Sequence, residues 1–253
     1  MKHRQKTRAR GPAIRGLVMA AVLALAGCAA GPEGVAPAMQ GPQAQGFPPG
    51  WQHLALRPGK PLTRYDWLGE QAPLGAVIHA QADHSASMLL RDGRGVDLGR
   101  TPLLRWQWKL GRLPEGARHD QGAREDAAAR IVLLFDGDKS ALPLDERMTL
   151  SMAEAVSGRP MPYATLMYVV SANAELDRLI ANPHTGRVQK IVAGRAEAAL
   201  GQWVRLERDV VADYRRAFGE PPGRLLAYGV MTDADNTASQ AEAWYAELQF
   251  LGR

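Results

Sequence analysis

Residues 104–110 read Leu104-Arg105-Trp106-Gln107-Trp108-Lys109-Leu110, a strict alternation that puts two leucines and two tryptophans on one face. Successive side chains of an extended chain point to opposite sides, so a period of two marks a half-buried β-strand. Shorter segments of the same character lie on both sides of it. Residues 76–80 and 87–91 flank a polar turn, as in a hairpin. Residues 129–135, 166–170 and 225–231 are nearly unbroken apolar runs, the pattern of central strands covered on both faces. Residues 187–192, 203–210 and 243–250 complete a set of nine expected strands. Helical signals are confined to residues 145–156 and 212–218, the second ended by Gly219 and the Pro221-Pro222 pair. With no regular βαβ alternation, the chain is expected to be all-β dominated: an antiparallel β-sandwich, jelly-roll-like, with one or two short helical insertions.

The first residues follow different rules. Lys2, Arg4, Lys6, Arg8, Arg10 and Arg15 form a cationic segment without an acid, followed by an apolar run over residues 17–26. That run is short of the ~20 apolar residues a membrane-spanning helix needs. It ends in Leu25-Ala26-Gly27-Cys28, which resembles the lipobox of bacterial lipoproteins, with Cys28 the chain's one cysteine. The resemblance implies a signal peptide over residues 1–27 and lipid on Cys28 holding the protein to a membrane. Ala29, rather than Asp, follows the cysteine; by likeness to the lipoprotein sorting rule this implies the outer membrane, facing the periplasm. Residues 28–50, rich in Gly, Pro, Ala and Gln, read as a flexible tether, and residues 51–253 as a single domain.

The anchor also settles the charge. The whole chain carries 31 Lys and Arg against 26 Asp and Glu, but six of the cations and none of the acids precede Cys28. The remainder is near neutral and has no global field for phosphates, which excludes nucleic acid as an expected partner. Membrane attachment is expected through lipid rather than a polybasic face.

A second resemblance runs through the domain. Trp106-Gln107-Trp108-Lys109, the 126–130 segment, Gly201-Gln202-Trp203, Asp213-Tyr214-Arg215-Arg216-Ala217-Phe218-Gly219 and Met231-Thr232-Asp233-Ala234-Asp235-Asn236-Thr237 follow one another in that order. In this the chain is similar to the bacterial secreted proteins catalogued as domain of unknown function 3047. The similarity implies an envelope location and a β-rich fold, and implies no activity. Arg124-Glu125-Asp126 departs from the lysine and paired aspartates of that family.

Three constellations are candidates for chemistry. The first, residues 232–237, sets Asp233, Asp235 and Asn236 with two hydroxyls after an apolar strand. Such an oxygen-rich loop suits calcium, with Asp233 and Asp235 as metal ligands, or the hydroxyls of a sugar; Asp and Asn also shape turns by bonding their own backbone. The second is Asp126 and Arg130, whose even spacing puts them on one side of a strand, either as a structural ion pair or as contacts to a polyol. The third is aromatic: Trp106 and Trp108 are candidates to stack on a ligand, against the plainer expectation of inward core residues. No zinc spacing, nucleophile elbow or phosphate-binding glycine loop is present in the sequence.

The reading leans away from catalysis. It predicts a membrane-anchored envelope lipoprotein acting as a noncatalytic binding module for a glycan or other envelope ligand. One alternative is a glycan-active enzyme using two of Glu125, Asp126, Asp233 and Asp235 as acid and base. Another is a structural lipoprotein whose sheet docks an envelope protein.

Overall fold

The computed structural model describes residues 42–253 except Ala72 and Asp120. The expected signal peptide, Cys28 and the first part of the tether lie outside the described residues. The elements in chain order are β1 (Trp51–Ala55), β2 (Arg64–Glu70), β3 (Ala76–Asp83), β4 (Ala86–Asp92), β5 (Leu103–Arg112), β6 (Ala127–Phe135), α1 (Leu144–Ser157), β7 (Ala164–Ser171), β8 (Leu179–Ala181), β9 (Val188–Arg195), α2 (Ala196–Ala199), β10 (Val204–Asp209), α3 (Val210–Phe218), β11 (Leu225–Asp233) and β12 (Gln240–Leu251). They form an all-β sandwich. One sheet runs β1-β4-β11-β6-β7-β9-β8, the other β10-β5-β12-β3-β2. Every pairing is antiparallel except β7 with β9. The pairs β3/β4, β5/β6 and β11/β12 each cross from one sheet to the other.

All nine expected strands are present; β1, β2 and β8 were not expected. β8 has three residues and β2 carries three charges and a glycine, so neither displays an alternation long enough to read. The last residues of the expected tether pack on the domain. Ala44 donates its N–H to Trp51 O at 2.9 Å, and Phe47 packs on Trp51 and Trp67 with ring centroids 5.9 and 5.7 Å away. Burial of these rings fixes a segment whose Gly-Pro composition reads as free chain.

The inter-sheet core is aromatic. Trp106 and Trp108 of β5 are fully buried; Trp106 stacks on Tyr168 of β7 at 5.1 Å and meets Trp108 edge-on at 5.5 Å. Every residue of β6 is buried, as its apolar run, broken only by Arg130, predicts. Ile131, Leu133 and Phe135 face the core, while Val132 and Leu134 join a second apolar cluster with Leu54, Met88, Leu90 and Met231. Between β11 and β4 the backbones approach so closely that a Cβ on Gly229 would lie 2.0 Å from Leu89 O. Only glycine fits there.

The Asp213–Gly219 motif is structural. Asp209 caps α3 by accepting from Ala212 N at 2.9 Å, and Gly219 closes the helix at φ 74°. Buried Asp213 accepts from Tyr168 Oη at 2.9 Å and from two nitrogens of Arg208 at 2.8 Å each, tying α3 to both sheets.

Candidate functional site

β11 ends at Asp233, and β6, its neighbour, begins at Ala127 directly after Asp126. This adjacency gathers the predicted site residues at one end of the seven-stranded sheet. Arg130 donates its Nε and Nη2 to the two carboxylate oxygens of Asp233, at 2.9 and 2.8 Å, and Ala127 N donates to Asp233 Oδ1 at 3.1 Å. Arg130 also bonds the backbone oxygen of Glu125. The Glu125 carboxylate meets Lys190 Nζ at 2.8 Å and Arg130 Nη1 at 3.6 Å. Asp235 pairs with Lys60. Asp126 does not pair with Arg130, as its even spacing had suggested. The strand begins one residue later, and Asp126 instead accepts from Asn236 N, Thr237 N and Thr237 Oγ1 at 3.2, 2.7 and 2.6 Å. Thr232, read in the sequence as part of the loop, faces inward and bonds Tyr245 Oη at 2.7 Å.

Asp126, Asp233, Arg130 and Lys190 are all within 2% of complete burial. Burial pushes the Asp233 carboxyl up, and Arg130 opposes that shift. Burial lowers Lys190, with Glu125 acting against it. One oxygen from each of Asp126, Asp233 and Asp235 lies within 4.8 Å of the others, a spacing open to a metal. The chemistry of the donors is against a resident calcium: Arg130 holds both oxygens of Asp233, three donors occupy Asp126, and Lys60 sits on Asp235. A cation would have to displace a lysine the protein already supplies.

His119 was absent from the candidates because a lone histidine in a loop carries no motif. It is buried, its Nε2 bonds Val170 O at 2.9 Å, and its Nδ1 has no partner among the described residues. Burial, reinforced by Arg130 and Lys190, lowers its pKa to about 4. The unfolded chain takes up a proton near pH 6.5 that the folded chain refuses until about pH 4, so stability is full above 6.5 and declines as pH falls. Burial shifts His53 the same way. Denaturant melts between pH 7 and 4 are expected to show a loss on the order of 3 kcal/mol from His119, and His119→Gln should flatten that slope. An unchanged slope in the variant would place the titration elsewhere.

The tryptophan expectation is corrected for Trp106 and Trp108. Both are fully buried between the sheets, so no ligand can stack on them. The partly exposed tryptophans lie elsewhere. On the outer face of the five-stranded sheet Trp244 stands in register with His79 on one side and Lys109 on the other. The His79 ring stacks on it at 4.6 Å, Lys109 Nζ lies 4.3 Å from its centroid, and Trp203 follows at 5.5 Å from the same ammonium. Neighbours on both strands cover the faces of Trp244, which makes the row a cross-strand support rather than a stacking platform.

At the rim of the sandwich a cleft of about 380 Å³ opens between the sheets. Trp51, Trp67, Leu74, Ile78 and Leu248 line it, with Tyr245, Arg91 and Glu247 among the polar-bearing residues. Its wall is formed where the pairing of β12 with β5 slips between Ala246 and Gln249. There Glu247 adopts φ 52°, a left-handed conformation uncommon for a side chain without an amide. Arg205 holds its Oε1 at 2.8 Å, and its Oε2 is buried without a partner among the described residues.

The profile of a protein family of unknown function, DUF3047, covers residues 49–249. The chain belongs to DUF3047. That span holds the charged cluster, the cleft and both sheets except the last two residues of β12. Among curated proteins none matches the sequence. Several of the residues by which the chain resembles DUF3047 are buried here: Trp106 and Trp108 in the core, Asp213 on α3, and Thr232 and Asp233 at the end of β11.

Proposed function

We propose that this DUF3047 protein is a membrane-anchored envelope lipoprotein, lipidated at Cys28, that binds a glycan or other envelope ligand without transforming it. The observation that carries the binding role is the cleft between the sheet rims. Its volume of about 380 Å³ is that of a small-molecule site, it is lined mainly by apolar and aromatic side chains, and polar groups stand on its wall. Residual strain and an unsatisfied acceptor at Glu247 support the same place, since such features collect where ligands bind.

A glycan-active enzyme is the second reading, favoured by the 4.8 Å grouping of Asp126, Asp233 and Asp235, close to the roughly 5–5.5 Å of a retaining pair. Burial weighs against it: Asp126 and Asp233 expose 0% and 2% of their surface, leaving only Asp235 for a substrate to reach. The test is retention of the compact unit Ala36–Arg253 on immobilised envelope glycans, with calcium or a chelator, while the supernatant is assayed for new reducing ends. Retention that is unchanged by chelator, with no reducing ends, is expected. Reducing ends would move the assignment to the enzyme, and chelator-sensitive retention would restore a calcium role for Asp233 and Asp235. The anchor is tested separately, by labelling cells with a lipid precursor and comparing the native chain with Cys28→Ala.

A further inference from the structure

We infer that the cleft takes an amphiphilic monocarboxylate, its apolar body entering between the sheets and its carboxylate held by Arg91; this rests on the binding role just proposed and names the chemistry of its ligand. The lining sets the body. Trp51, Trp67, Pro73, Leu74, Ile78 and Leu248 offer apolar contact, and few polar groups on the wall are free to satisfy the many hydroxyls of a sugar ring buried there. An alkyl or aryl body loses nothing by the same transfer.

Arg91 sets the head group. It is exposed at the end of β4, on the cleft wall, with its guanidinium carbon 5.3 Å from the Trp51 ring centroid. No carboxylate among the described residues forms an ion pair with it, whereas the other charged group on the wall, Glu247, is already held by Arg205 at 2.8 Å. Cation–π attraction to an indole uses none of the guanidinium N–H donors, which remain available to meet a carboxylate with two parallel hydrogen bonds. One uncommitted cation matches one negative charge.

Trp51 and Trp67 make the cleft its own reporter, so the unit Ala36–Arg253 can be titrated by intrinsic fluorescence with decanoate, decanol and glucuronate. Decanoate is expected to give a saturable change, lost in Trp67→Phe. Arg91→Gln should weaken decanoate about tenfold and leave decanol unchanged; Arg91 is exposed, and a thermal melt checks that the variant folds. Equal decanoate affinity in Arg91→Gln would overturn the role of the cation. Saturation by glucuronate but not decanoate would overturn the ligand class and leave the binding role standing. No saturable response to any of the three, together with no retention on glycans, would remove both.

Discussion

Arg130→Met is expected to destabilise the protein by about 3–5 kcal/mol, because it strands the Asp233 carboxylate in the interior. Asp233 is 2% exposed and takes two of its hydrogen bonds from Arg130. Methionine fills the space of the stem and supplies neither charge nor donor. The same change also removes a neighbour of Glu125, though Lys190 remains on that carboxylate at 2.8 Å. For a domain of this size the loss corresponds to a melting temperature lower by on the order of 10 °C. Adding Asp233→Leu should recover most of it, since an apolar pair of similar volume often replaces a buried ion pair without loss. Denaturant midpoints of the two variants decide the matter. A single variant that melts like the native protein would mean that the pair is solvated and free for chemistry, and the enzyme reading would regain ground.

Trp106→Ala is expected to cost a similar amount, about 3–5 kcal/mol. The indole is fully buried against Tyr168 and Trp108, and its removal leaves a cavity in the centre of the sandwich. Trp106→Phe should cost well under half as much. The Trp106 Nε1 has no hydrogen-bond partner among the described residues, so phenylalanine gives up volume and no bond. Were Trp106 a ligand contact, the alanine variant would melt normally and lose binding. Calorimetry of Trp106→Ala beside Trp244→Ala, whose ring is partly exposed, separates the two roles, with the larger loss expected for Trp106.

The positions that were hardest to read share a cause. Asp126, Arg130, Asp233 and Asp235 were legible as a polar constellation because two short motifs concentrate oxygen and charge next to apolar strands. Their partners were not, because Lys60 and Lys190 are distant in sequence: Lys190 reaches the cluster only when β9 lies beside β7 and β7 beside β6, and Lys60 only when the segment before β2 lies against β11, where Thr63 Oγ1 donates to Thr232 O at 2.7 Å. The cleft was invisible for a related reason: its walls come from β1, β2, β3, β4 and β12, and no local pattern joins Trp51 and Trp67 to Leu248. Helix α1 inverts the usual expectation altogether. Glu146 and Glu154 turn toward the body, bonding Gly186 N at 2.6 Å and Lys139 Nζ at 2.8 Å, while Leu144, Met148, Met152 and Val156 are 58–69% exposed.

By itself the sequence determined nine of the twelve strands, the sandwich class, which residues of β5 share a face and the charge balance, because alternation and composition act over a few residues and survive any packing. Tertiary structure alone decided which charges neutralise one another, which tryptophans are closed to solvent and where a ligand-sized space remains. Those depend on which strands become neighbours, a choice made by burial across the whole chain rather than by any stretch of it.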